Sequence, residues 1–138
     1  MVESSVTVDD EELSRIAKGL IVFVGIEKND GEAEASFMAN KVLRLRVFPD
    51  KAGRMNLSCM DVNGEILVVS QFTLLGDCSS GLRPGFDRAA DPEIAERLYR
   101  FFINKLRGDV TNVQEGVFGA KMMVHVINEG PATFVLEK

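Results

Sequence analysis

The sequence predicts an α+β domain in which a curled, largely antiparallel sheet carries two packed helices. Three observations predict it. Apolar runs of strand length recur at residues 19–25, 65–74 and 122–127, and two stretches with apolar residues at helical spacing lie between them. No repeat, low-complexity tract or linker interrupts the 138 residues, so residues 1–138 read as a single domain.

The elements follow in order. Val6 and Val8 alternate with Thr7 in an opening strand, and residues 19–25 (Gly-Leu-Ile-Val-Phe-Val-Gly) form a second, buried one. Asn29-Asp30-Gly31 supplies turn and cap residues for a first helix whose stripe is Ala35, Met38, Ala39, Val42 and Leu45. Val47-Phe48 leads into the turn-rich residues 49–53, and Asn63-Gly64 is a tight-turn signal before the most strand-like segment, residues 65–74. The first half of that segment is apolar on both faces, as a central strand requires; the second half carries Ser70, Gln71 and Thr73 beside Phe72 and Leu74. Polar groups at the end of a central strand point to a functional site.

Residues 76–90 form a loop longer than a simple connection needs. Asp91 then caps a second helix with Pro92 at its first position, and Ile94, Ala95, Leu98, Phe101, Phe102 and Leu106 mark its buried face until Gly108 stops it. Two closing strands, residues 122–127 and 132–136, flank the turn Asn128-Glu129-Gly130-Pro131.

Composition narrows the function. With 46% hydrophobic and 27% charged residues, one core can bury roughly two-thirds of the unfolded surface. No apolar run approaches the ~20 residues that span a bilayer, and the N-terminus lacks a basic-then-apolar signal, so a soluble, cytoplasmic protein without a membrane partner is expected. Cys59 and Cys78 have no metal or disulfide-framework spacing, and with His125 as the one histidine no metal set is expected. A net charge of −5 and a pI near 4.9 argue against coating long nucleic acids and leave room for a small footprint.

Conventional catalytic groups are few. A Cys78 thiol with His125 as base would make a thiol hydrolase, but no residue stands ready to orient that imidazole. Residues 116–120 (Gly-Val-Phe-Gly-Ala) lack the spacing and acidic partner of a dinucleotide fingerprint and the lysine of a P-loop, so no nucleotide cofactor is expected. Phe118 and Met122 read either as core or as an apolar wall on which a base stacks. Gly130-Pro131 reads as a turn whose isomer spacing leaves open.

Taken together, these segments resemble the D-aminoacyl-tRNA deacylase family. The resemblance is carried by Met55-Asn56-Leu57-Ser58, Ser70-Gln71-Phe72-Thr73-Leu74, Arg83-Pro84 with Phe86, Pro92-Glu93 with Leu98-Tyr99, Gly116-x-Phe118-Gly119-Ala120-x-Met122 and Asn128-x-Gly130-Pro131-x-Thr133, in the family's order. It implies a homodimer with a barrel-like sheet and, as substrate, the acceptor end of aminoacylated tRNA. Each site would combine Ser70, Gln71, Phe72 and Thr73 of one chain with a cis Gly130-Pro131 turn inserted by the partner as a chirality gate. Backbone around Phe72 and Thr73 would stabilise the oxyanion, Phe118 and Met122 would wall the terminal-adenosine pocket, and Arg83 would contact phosphate. The implied reaction is hydrolysis of the ester of D-aminoacyl-tRNA, and of glycyl-tRNA mischarged on tRNA-Ala, by water assisted by the tRNA 2′-hydroxyl. No cofactor is implied.

The chain also departs from the family pattern. Only Met1-Val2-Glu3 precede the matching Ser4, which implies a shortened first strand; Gly85 stands where serine is common and Ser80 where a basic residue is. A rival reading consistent with those departures is an inactive RNA-end binding module.

Overall fold

In the computed structural model, which describes residues 1–138, the chain runs β1 (Glu3–Val8), β2 (Glu11–Ile16), β3 (Gly19–Val24), α1 (Glu32–Arg44), β4 (Phe48–Pro49), β5 (Met55–Leu57), β6 (Glu65–Ser70), a 3₁₀ turn (Phe72–Leu75), α2 (Pro92–Arg107), β7 (Val113–Glu115) and β8 (Met123–Ile127). The class is α+β, with two helices and mixed sheets.

Burial decides the middle of the fold. Ile66, Leu67, Val68 and Val69 of β6 are all 0% exposed. Ile66 and Val68 face the larger apolar cluster, with Ala39, Val42, Tyr99, Phe102 and Leu106 of the helices, while Leu67 and Val69 join Val6 and Ile16 on the other side. A strand covered on both faces belongs in the centre of a sheet, and β6 lies between β3 and β7. Both of its pairings are parallel. The expectation of a largely antiparallel sheet is corrected here: α1 lies between β3 and β6 in the chain and α2 between β6 and β7, and such crossovers are what parallel neighbours require. Gly19 permits the close start of the β3–β6 pair, because a Cβ there would sit 1.8 Å from the Glu65 carbonyl oxygen.

Antiparallel pairing is confined to β2-β1-β8 and to the β4–β5 hairpin. β1 is a six-residue strand at the middle of its sheet, and Ser4 Oγ donates to the His125 carbonyl at 2.7 Å. β2 had no counterpart among the expected elements. Ser14 and Ile16 are its buried positions, so its inward face carries one polar residue whose hydroxyl donates to the Glu115 carbonyl at 2.5 Å.

Three further expectations change. The strand read over residues 65–74 ends at Ser70 and gives way to the 3₁₀ turn. Residues 132–136 form no strand, since no segment of the chain offers them a ladder partner. On α2 the buried stripe is Ala95, Leu98, Tyr99, Phe102, Ile103 and Leu106; Ile94 and Phe101 fall at its margins, Ile94 being exposed and Phe101 half-buried. Asp91 and Pro92 begin that helix and Gly108 caps its end as expected.

Candidate functional site

The site begins where β6 runs out of partner. Gln71 N–H makes the last bond toward β3, to the Val24 carbonyl at 2.7 Å. Beyond it the chain curls: Leu74 N–H donates to the Gln71 carbonyl (3.2 Å) and Gly76 N–H to the Thr73 carbonyl (3.0 Å). Leu75 is thereby turned inward and buried, against Gly25. That position has to be glycine, for a Cβ would lie 2.4 Å from Leu75 Cδ2 and 3.1 Å from the Gln71 carbonyl.

The curl changes what the segment presents. Phe72 and Thr73 become the first residues of a helical turn, whose leading N–H groups have no partner within the turn. Phe72 is 57% exposed and Thr73 is exposed, so both donors sit at an accessible corner. Gln71 Nε2 donates to Thr73 Oγ, which ties the two side chains together. The partner of the Thr73 hydroxyl is therefore an amide, which is no base. Ser70, half-buried, closes β6 opposite Val24. The four residues singled out from the sequence thus share one corner.

The loop that follows is pinned at both ends. Asp77 and Gly85 exchange backbone bonds of 2.7 and 2.9 Å, and the Asp77 carboxylate accepts from Ser79 N–H and Oγ, which holds its pKa below the usual carboxylate range. At the other end Glu27 pairs with Ala89, and Arg88 Nε contacts Glu27 Oε1 at 2.8 Å. Phe86 meets Phe72 edge to face, 5.2 Å between centroids. Arg83 lies at the exposed tip of this loop without an ion-pair partner, and Cys78 is exposed there too. His125 lies on β8, where its Nε2 is 3.9 Å from Glu3; no bond joins it to Cys78, so the structure gives a thiol–imidazole pair no support.

Phe118 and Met122 flank a turn containing Gly119 at φ +76°, and both are half-buried. They rest on different supports: Phe118 packs on Tyr99 (5.7 Å between rings) and the helix-side cluster, Met122 on the cluster around Val6 and Leu67. Gly116 makes room for Met122, whose Sδ lies 2.7 Å from where a Cβ would be. The Gly130-Pro131 peptide bond is cis, both residues are exposed, and nothing in the chain comes within 4 Å of a Cβ built on Gly130. Asn128 Nδ2 donates to Thr133 Oγ at 3.1 Å and so spans the turn. Two clefts of about 380 and 400 Å³ lie elsewhere, one between the helices beside Phe37 and Lys105, the other beside Asp30, Asp91 and Arg97, and neither touches residues 70–73. No group of three His, Cys, Asp or Glu side chains is gathered where it could hold a metal ion.

Sequence reasoning gave no separate role to Gly25, Leu75 or Phe86, which support the corner. The family described as D-Tyr-tRNA(Tyr) deacylase matches residues 1–137. The chain belongs to this family. It is 52% identical over 134 residues to the D-aminoacyl-tRNA deacylase of Thermodesulfovibrio yellowstonii, covering 97% of this chain and 92% of that one. It is 48% identical to the D-aminoacyl-tRNA deacylase of Clostridioides difficile, at 97% and 90% coverage. Among solved structures, the c-Myc DNA Unwinding Element Binding Protein superposes with a TM-score of 0.94 at 41% identity, over 99% of this chain and 93% of that one. A probable eukaryotic D-amino acid tRNA deacylase gives 0.79 at 17% identity, over 95% and 91%, a likeness of fold. No helix is long and apolar enough to cross a membrane.

Proposed function

We propose that the chain hydrolyses the ester of D-aminoacyl-tRNA in the cytoplasm, at a site built from residues 70–73 of one subunit and Gly130-Pro131 of another. The observation that carries the site is the corner at which β6 breaks into the Phe72–Leu75 turn and leaves the Phe72 and Thr73 N–H groups free. Hydrolysis of an ester puts negative charge on the acyl oxygen, and fixed backbone donors stabilise that charge by a few kcal/mol each. Gln71 and Ser70 orient the substrate. Water attacks the acyl carbon, the bond to the ribose oxygen breaks, and that oxygen takes a proton; the neighbouring 2′-hydroxyl of the tRNA assists, because Thr73 has an amide and no base beside it.

Selection works by exclusion. The Gly130-Pro131 main chain of the partner crowds the chiral carbon, so that an L-aminoacyl group is refused while a D-aminoacyl group or glycine, including glycine mischarged on tRNA-Ala, is admitted. Phe118 and Met122 flank the terminal adenosine, and Arg83 reaches a phosphate near the acceptor end. The exposed apolar residues Met123, Ile127, Phe134 and Val135 support a homodimer in which the strand-forming segments pair and the sheet curls toward a barrel.

Subunit mixing tests the shared site. A Gln71→Ala variant and a Gly130→Val variant, each impaired alone in deacylation of D-aminoacyl-tRNA, should recover about a quarter of wild-type activity when mixed, because half of the dimers are mixed and each holds one intact site of two. Absence of any recovery, with mixed dimers present, rules out a site shared between chains. Tight binding of the tRNA end without turnover by the wild-type protein would favour the RNA-binding module instead.

A further inference from the structure

The long loop reaches the catalytic corner through one aromatic ring. Phe86 packs edge to face on Phe72, with 61° between ring planes, and its Cε1 lies 3.1 Å from where a Cβ on Gly76 would be. Phe86 therefore touches the turn at both ends: at Phe72, which opens it, and at Gly76, which caps it. Gly76 in turn donates to the Thr73 carbonyl, so a shift of Gly76 moves the peptide beside the site.

The ring has a rigid mount. Residue 85 is fixed by the Asp77–Gly85 pair, the Phe86 carbonyl accepts from Ala89 N–H at 3.1 Å, Lys28 N–H donates to the Arg88 carbonyl at 2.8 Å, and Ala90 N–H donates to the Ile26 carbonyl at 2.9 Å. Ile26 and Lys28 directly follow β3, the strand that also holds Gln71. Two arms of the same frame thus meet at the turn, one through the Val24–Gln71 bond and one through Phe86. Phe72, more than half exposed, has little else to fix its direction.

We propose that Phe86 is a positioning residue for the deacylation reaction: it fixes the Phe72–Leu75 turn so that the leading N–H groups stay aimed at the acyl oxygen. The proposal rests on the site reading given above. Preorganised donors act only when their direction is set before the reaction, and a displacement of about 1 Å can lower a rate by roughly a hundredfold.

The test is steady-state deacylation of one D-aminoacyl-tRNA by Phe86→Leu, Phe86→Ala and Phe86→Tyr, with Gln71→Ala as the control for the site. Leucine keeps an apolar filler should the alanine variant fail to fold. Phe86→Leu should lower kcat about tenfold with KM within about twofold, and Phe86→Tyr, which keeps the ring, should restore kcat to within about twofold. Wild-type kcat in Phe86→Leu, or a rise in KM alone, overturns the proposal; the second result would make Phe86 a substrate contact. If Gln71→Ala lowers kcat while Phe86→Leu does not, only the role of Phe86 fails. If neither lowers it, the site at residues 70–73 fails as well.

Discussion

The helix-side cluster and the strip from β8 to residue 136 are built from the same kinds of side chain and end in opposite states. Around β6, Ile66, Val68, Tyr99 and Leu106 are at most 1% exposed and pack among this chain's own helices and strands. Along the strip, Met123 is 75% exposed, Phe134 52% and Val135 83%. The first region is finished by one chain. The second presents apolar groups around the Gly130-Pro131 turn that this chain leaves uncovered, so the buried core and that turn lie in different parts of the molecule.

The strongest way to probe the finished region is Leu106→Ala on α2. Leu106 is 0% exposed and lies in the helix-side cluster, so truncation leaves a cavity and should cost about 3 kcal/mol, lowering the thermal midpoint by roughly 10 °C. Denaturant unfolding measures it; a loss below about 1 kcal/mol would mean that the helix layer is not the core of the fold. Next in size is Val135→Asp, which addresses the unfinished strip. On a lone surface this change should stay within about 0.5 kcal/mol of neutral. At the centre of a self-association face it should weaken the dimer by about 2 kcal/mol, or some thirtyfold in Kd, by sedimentation equilibrium, with helix content unchanged. Unaltered association would remove the strip from the interface.

The same contrast explains what the sequence made legible. Helix α2 was readable because Asp91, Pro92, the apolar stripe and Gly108 are all local signals that agree. β6 was readable because burial on both faces leaves an unbroken apolar run. Its far end was misread since Phe72 and Leu74 alternate with Gln71 and Thr73 as a strand would; what ends the strand is Gly25, 46 positions away from Gln71 in the chain, which opens the space that Leu75 fills. β2 was missed because its inward Ser14 looks polar until the Glu115 carbonyl is placed beside it. Residues 132–136 read as a strand and form none here, for a strand exists only with a partner. Of the site, the polar residues at the end of an apolar strand pointed to the corner; the gate proposed for Gly130-Pro131 and the substrate came from the family pattern.

The smallest effect joins the two regions. Tyr99 lies in the finished core, donates to the Val68 carbonyl at 3.0 Å, and carries Phe118, one of the two residues proposed to flank the terminal adenosine. Burial, with a further push from the charge of Glu115, raises its phenol to about 12. Tyr99→Phe removes the hydroxyl and keeps the ring; the Val68 carbonyl still accepts from Gly116 N–H at 2.9 Å, so no buried acceptor is orphaned and the loss should be about 1 kcal/mol near neutral pH. The sign of the pH dependence follows from linkage. The unfolded chain releases this proton near pH 10 and the folded one near 12, so the contribution is whole below pH 10 and is lost as the pH rises through about 12. Wild type should therefore surrender its advantage over Tyr99→Phe between those values, a comparison in which the buried Cys59 thiol, itself raised to about 11 by burial, cancels because both proteins contain it. Denaturant unfolding of the pair at pH 8 and pH 11 measures the gap, and a gap that stays constant would mean that the hydroxyl is not held neutral in the core. Deacylation by the variant should change less than twofold, since the ring that supports Phe118 remains in place.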